Sequence, residues 1–564
     1  MTHPLSKTVP GLAMAAALSA AASPGRAQAP APPAATAVEQ GQVRQRVEQE
    51  AAERAARAAA PNASEQPPAP PALGAFPDEK PCFAIQRVEV LGAKGRALGW
   101  VAGRLAAFQG RCVGPKGLDY ILKSLERDFL ARGLVTTRAG LPQQDLGSGV
   151  LRVQVQAGRL AGVKGGSRRA RRAWAFASPL RKGDLVQLPA LSQGIEQMQR
   201  VPGRQVSADL APGETPGDSL VDLKVRPPFL PFSAQFSVNN LAGRSVGEWQ
   251  GSAALTAADL LGVSDLWTAS LNSNLARPDL PADSVGDSLG VSLPYGWWTF
   301  AATAQQSTYS QTIATPIATF ASSGDLKSVE VSAQRVAHRD AASRTSLELK
   351  LRRRWERYFV DDVEIRVQRR DLTDLTLGVL ERRNFGHAQL DLEFAWRHGM
   401  PWFDAQKDPS PLPPSLPTAR YSLFTLDANF TAPIAGSPVL DAYHAQGRAQ
   451  SSGSVLFGAD TFSVGGPFTV RGFDSERAAA GYGGWYLRQE LSFKSPLPQL
   501  QPYALIDSGQ IAHADAFLAG AGLGLRAGWR GFSLDAFAAM PLTGPAGSYL
   551  RKPEIGATVG WGWP

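Results

Sequence analysis

The sequence predicts a membrane β-barrel of about 16 antiparallel strands, preceded by two small α/β modules and an N-terminal plug-like helix. Three observations point there. From Phe229 onward the chain falls into segments of about ten residues that alternate apolar and polar. Leu347, Leu349 and Leu351 interleave with Glu348, Lys350 and Arg352, and Leu390, Leu392, Phe394 and Trp396 interleave with Asp391, Glu393 and Arg397. Although 44% of the 564 residues are hydrophobic, no run of about 18 apolar residues is present that could cross a bilayer as a helix. The chain ends in an apolar, aromatic stripe, Ile555, Ala557, Val559, Trp561 and Trp563, which would promote aggregation on a soluble protein. Period two alone does not say which face points outward, since a soluble sandwich inverts it. The terminal stripe argues for lipid outside. At roughly twenty residues per strand and connection, residues 229–564 hold about 16 strands, enough to enclose an aqueous channel.

The N-terminus reads as an export signal over residues 1–29. Lys7 supplies the positive charge, Gly11 to Ala22 the apolar stretch, and Ala27-Gln28-Ala29 a small-residue cleavage site before Pro30. Residues 30–78 follow as a polar helix and a linker. Val38, Val43, Val47 and Ala51 lie near helical spacing among Glu, Gln and Arg, and the Pro-rich stretch from Pro61 to Pro77 breaks the pattern. Such a helix is either a spacer or a removable plug in a water-filled pore, and the sequence leaves both open.

The first module, residues 79–158, has strand signals at Ile85 to Leu91, Val135 to Leu141 and Val150 to Gln156. Its helix signals lie at Trp100 to Phe108 and Leu118 to Arg132, stopped by Gly110 and Gly133. The second module, residues 159–228, is a shorter copy. Arg159 to Val163 opens it, Leu188 to Arg200 is its clearest helix, Gln205 to Ala211 and Ser219 to Val225 close it, and Pro227-Pro228 forms the exit. Duplication of a small module suggests a recruitment arm, whose exposed strand edge can accept an extended peptide. The only two cysteines, Cys82 and Cys112, read in an oxidising periplasm as one disulfide closing a loop of about thirty residues. Two thiols without clustered His are too few ligands for a metal site, and no cofactor is expected.

The formal charge of +9 raises nucleic-acid binding, but the arginines are dispersed along the chain and form no basic helix or arm, which argues for a charged lumen instead. One arginine stands out. Val470-Arg471-Gly472-Phe473 lies in a Gly-rich stretch from Phe462 to Asp474, too long for a tight hairpin and flanked by alternating segments, so it reads as a long inserted loop. Further on, Asp507-Ser508-Gly509 ends a strand in which Tyr503, Leu505 and Asp507 share one face and Ala504 and Ile506 the other. If Ile506 faces lipid, Asp507 faces the lumen. A loop arginine tucked into the pore then meets that carboxylate where neither charge is tolerated alone, which makes a latch.

In their order along the chain, several stretches resemble the TpsB transporters of two-partner secretion, the group of the haemolysin secretion/activation protein and FhaC within the BamA-type superfamily with POTRA domains. They are Pro81-Cys82-Phe83, Leu130-Ala131-Arg132-Gly133-Leu134-Val135-Thr136-Thr137-Arg138, Leu141-Pro142-Gln143-Gln144-Asp145-Leu146 with Gly149 and Leu151, Pro212-Gly213-Glu214-Thr215-Pro216-Gly217, Val238-Asn239-Asn240, Gly243-Arg244-Ser245, Gly247 and Gln250-Gly251. The resemblance implies that the two modules are POTRA domains in the periplasm of a bacterial outer-membrane protein. It also implies that Arg471 pairs with Asp507, with Gly472 and Phe473 completing the loop tip. Leu505 stands where the family has Phe or Gly, and Trp563 before Pro564 takes the place of the terminal aromatic, so Trp561 and Trp563 carry the insertion signal. The implied function is translocation of a large haemolysin- or adhesin-type exoprotein, with or without activating it, recognised through its N-terminal secretion domain. Outer-membrane lipid, the barrel assembly machinery and periplasmic chaperones are the further partners implied.

No catalytic residue is expected. Gly217-Asp218-Ser219-Leu220 and Gly286-Asp287-Ser288-Leu289-Gly290 resemble esterase serine motifs, but neither has the strand, sharp turn and helix of a nucleophile elbow. No Gly-x4-Gly-Lys-Ser/Thr phosphate loop is present. The nearer rival is a BamA- or TamA-like insertase. Removing residues 30–78 is expected to give large, steadier single-channel conductance in planar bilayers if that segment plugs the pore; no conductance in either form would favour the insertase.

Overall fold

A computed structural model describes residues 73–563 apart from 94, 229, 244–246, 276–282, 315–318, 476–477, 513–516 and 546–552. The signal peptide expected at 1–29 and the polar helix expected at 37–60 lie outside the described residues, as do Arg244, Ser245 and Pro564.

The first module places helices Trp100–Ala106 and Pro115–Ala131 against a three-stranded sheet, in which Val150–Gln156 runs between Arg87–Leu91 and Arg138–Gly140. Ile121, Leu125 and Phe129, at helical spacing, pack on Leu151, Val153 and Val155, which alternate along the central strand. Gly114 offers no side chain to cap the longer helix. The Glu79 carboxylate does so instead, accepting from the N–H groups of Gly114 and Lys116 at 3.1 and 3.0 Å and from that of Gly117. Cys82 and Cys112 form a disulfide with Cα atoms 5.3 Å apart, beside a short pairing of Phe83–Ala84 with Cys112–Val113.

The second module repeats this arrangement, with Asp218–Arg226 between Arg159–Gly165 and Gln205–Pro212. Besides the expected helix at Leu188–Gln199 it holds a second one, Arg168–Ala177. In it Ser167 caps the Ala170 N–H, and Ala170, Ala173, Trp174 and Ala177 form a buried stripe. Four arginines between them mask the apolar period.

Among the described residues, 16 spanning strands from Phe232–Asn239 to Glu554–Trp563 form one closed antiparallel barrel, while Phe462–Val464 and Ala479–Gly481 form a separate two-stranded pair. The last strand pairs with the first, from Thr558 opposite Asn239 to Trp563 opposite Ala234, so the sheet has no free edge. Leu347, Leu349, Phe394, Ile506, Ile555 and Val559 point outward and are exposed, as lipid-facing residues are. Charges on the opposite parity point inward and pair: Arg382 with Asp391 at 2.6 Å and Lys350 with Glu348 at 3.0 Å. This resolves the ambiguity of period two in favour of lipid outside. Ser288 lies in mid-strand within Asp283–Tyr295, its hydroxyl 2.7 Å from that of Ser270, and Ser219 lies in a strand of the second module, so neither occupies a nucleophile elbow.

Arginine–carboxylate contacts seat the second module on one end of the barrel. Glu196 meets Arg339 at 2.7 Å and also Arg344, Arg204 meets Asp259 at 2.7 Å, and Gln197 donates to Thr299 at 2.9 Å.

Replacing Cys82 and Cys112 by Ser is expected to destabilise the first module by about 3–4 kcal/mol, the chain-entropy value for a closed loop of this length. The readout is the denaturant midpoint of that module in the full chain; an unshifted midpoint would show that the disulfide contributes nothing.

Candidate functional site

The segment between strands Leu440–Ser452 and Gly484–Phe493 turns into the barrel. It is stiffened by a short pairing of Phe462–Val464 with Ala479–Gly481. The expected long loop is therefore a hairpin with its own ladder. Val464, Val470 and Phe473 are buried with Tyr486, Ile511 and Leu518 of the wall, so the tip is held by apolar contact as well as by charge.

Arg471 is 1% exposed and Asp507 is wholly buried. Alternation along Leu500–Ile511 puts Tyr503, Leu505, Asp507 and Gly509 on the buried face and leaves Ile506 exposed. The Arg471 guanidinium donates to Asp507 through Nε at 2.6 Å and Nη2 at 2.9 Å, and its backbone N–H reaches the same carboxylate at 3.1 Å. This two-pronged geometry fixes the direction of the side chain as well as its charge. The third nitrogen, Nη1, donates to Glu490 at 2.7 Å. Glu490 also binds Arg526, which pairs with Asp535 at 3.1 Å, and Tyr503 donates to Asp535 at 2.7 Å. An isolated buried guanidinium would cost several kcal/mol, so the chain of alternating charges is what lets Arg471 stay inside.

Glycines make room for the hairpin. Gly472 has φ +98°, and a Cβ there would lie 2.6 Å from the Met540 carbonyl carbon. A Cβ on Gly520 would lie 2.0 Å from the Arg471 carbonyl oxygen, and one on Gly509 would lie 2.8 Å from the Val464 side chain. The Gly472 N–H donates to Glu554 on the closing strand, so the tip touches the strand that seals the barrel.

The structure thus brings Arg471, Gly472, Phe473, Asp507 and Gly509 together. Trp561 and Trp563 lie apart from them, exposed on the closing strand, with Trp561 stacked on Phe236 across the seam. Cys82 and Cys112 belong to the first module. Sequence reading missed Glu490, Arg526 and Glu554. Glu490 is marked by its parity with Tyr486, both on the inward face of Gly484–Phe493, but its pairing with Arg471 crosses strands and leaves no spacing signal.

Residues 217–527 match the family model described as haemolysin secretion/activation protein ShlB/FhaC/HecB. Residues 83–158 match a POTRA domain of the ShlB type and residues 156–212 a further POTRA domain. The outer membrane transporter CdiB-2 of Burkholderia pseudomallei (strain 1026b) is 31% identical over 532 residues, covering 90% of this chain and 91% of that protein. The hemolysin transporter protein ShlB of Serratia marcescens is 25% identical, covering 78% of each. Among solved structures, CdiB from Escherichia coli superposes with a TM-score of 0.81 at 26% identity, covering 93% of this chain and 98% of that one.

Gly520→Val is expected to push the hairpin off the wall while the barrel still forms. The check is protease cleavage within residues 462–481 in reconstituted vesicles; continued protection would show that the Gly520 contact does not seat the hairpin. With its family model spanning more than half of the sequence and a relative 31% identical along nine-tenths of it, the chain belongs to the haemolysin secretion/activation protein family, ShlB/FhaC/HecB.

Proposed function

We propose that this chain secretes one large partner exoprotein, and that the Arg471–Asp507 pair is the latch that keeps the hairpin in the pore until the partner arrives. The chain is an outer-membrane transporter of its family, with its POTRA domains in the periplasm. The observation that carries the latch is a buried two-pronged ion pair joining the inward-folded hairpin to a wall strand.

The POTRA domains take up the partner's N-terminal secretion domain as an extended strand. Among the described residues, Arg87–Leu91 and Gln205–Pro212 are edge strands of their sheets, which supports this mode of capture. The partner then crosses the barrel as an extended chain, and its folding outside supplies direction. The outward stripe ending in Trp561 and Trp563 would be read by the barrel assembly machinery, after periplasmic chaperones deliver the chain to outer-membrane lipid. Transport is favoured over insertion of membrane proteins because the relatives that align over most of this chain are named transporters.

Arg471→Ala is expected to reduce secretion of the partner at least about tenfold, since removing one member of a buried pair strands the other charge. Barrel insertion, read as heat-modifiable gel mobility, should remain. Unaltered secretion would sink the latch, and the charge-swapped Arg471→Asp, Asp507→Arg double variant tests the pairing itself.

A further inference from the structure

A second ion cluster sits on a different sector of the wall, and the hairpin segment supplies its central carboxylate. Asp460 ends the short turn Gly458–Asp460, two residues before the descending arm Phe462–Val464, and its side chain is 1% exposed. Arg354 on Ser343–Val360 donates to it at 2.7 Å through Nη2, and Arg397 on Ala388–Met400 approaches at 3.7 Å. Arg354 also pairs with Glu356 at 3.2 Å and with Asp374 at 3.5 Å, while Asp374 pairs with Arg352 at 3.2 Å and Arg397 at 3.8 Å. Three guanidiniums thus meet three carboxylates in direct ion pairs, and one of the three carboxylates comes from the loop. Without it the wall holds three guanidiniums, that of Arg354 buried and those of Arg352 and Arg397 part-buried, against two carboxylates, a state that burial penalises.

The polarity is opposite to that of the first cluster. At the tip a loop cation meets wall anions on Gly484–Phe493 and Leu500–Ile511; at the base a loop anion meets wall cations on Ser343–Val360 and Ala388–Met400. Two strands, Ser422–Pro433 and Leu440–Ser452, separate the two sectors. The base is held by further contacts: Gln450 donates to the Asp460 carbonyl at 2.9 Å, and Phe457 packs with Leu372 and Ala419 beneath the Arg370 guanidinium.

We propose that Asp460, gripped by Arg354, is a second latch of inverted charge: a positioning residue that keeps the hairpin strung across the lumen together with Arg471. The inference rests on the latch reading of Arg471. Because the two latches use opposite charges, neither loop residue can exchange its wall site for the other's, and the hairpin has one register in the pore.

The test is single-channel recording of the full chain in planar bilayers, on variants whose heat-modifiable mobility shows a folded barrel. Asp460→Asn is expected to shorten the dwell time in the resting conductance by about tenfold, the change that 1.4 kcal/mol produces. Asp460→Glu should stay near the parent, and Arg354→Asp with Asp460→Arg should recover dwell time relative to either single variant. If Asp460→Asn does not insert, Arg397→Gln, which loses only the longer contact, is expected to shorten the dwell about threefold, as half the free energy would. An unchanged dwell time in the folded variant, or a swapped pair no better than the singles, overturns the second latch. Arg471→Ala recorded alongside separates the two readings: altered dwell there with a silent Asp460→Asn removes only the second latch, whereas a silent Arg471→Ala removes the first.

Discussion

A buried guanidinium is costly unless it is paired, and in this barrel carboxylates supply the partners of Arg471 and Arg354. Asp507 accepts three hydrogen bonds from one residue, two from the Arg471 side chain and one from its backbone. That single residue therefore sets both where the hairpin tip lies and which way its backbone runs. The glycines follow from it. With the Arg471 carbonyl pressed against the strand Phe517–Trp529, residue 520 has no space for a Cβ, and the turn that follows demands φ +98° at Gly472. Phe473 then falls among Val464, Tyr486 and Leu518, where burial of its ring adds an apolar term that does not depend on charge.

The same kind of pairing recurs where the second POTRA domain meets the barrel. Glu196 with Arg339 and Arg344, and Asp259 with Arg169 and Arg204, attach the second POTRA domain to the barrel. The hairpin is attached by Arg471 at its tip. Such joints are directional and satisfied in one geometry, unlike greasy contacts that tolerate sliding. Gly472 donating to Glu554 connects the tip to the strand that closes the sheet, so hairpin position and the barrel seam are in physical contact.

Much of this was legible in the sequence. Strands of alternating character, taken with the apolar, aromatic stripe from Ile555 to Trp563, pointed to a closed membrane barrel, because period two leaves one apolar face that must be covered and one charged face that must be solvated or paired. Parity alone placed Asp507 and Ile506 on opposite faces, and the helix Leu188–Gln199 was marked by its apolar period. The helix Arg168–Ala177 was obscured because its exposed arginines outnumber the small buried alanines that define its stripe.

Sequence by itself determined the class of fold, the module order, and the candidate pair Arg471 and Asp507, because these rest on local periodicity and on the rule that a buried charge needs a partner. Only the tertiary structure decided the rest of the network. Glu490, Arg526, Glu554 and Asp460 are drawn into it by strand register and by the path of the hairpin through the lumen. Those contacts join residues on different strands with no fixed spacing along the chain, so closure of the barrel, which brings the last strand to the first and folds the hairpin inside, had to come before they could be read.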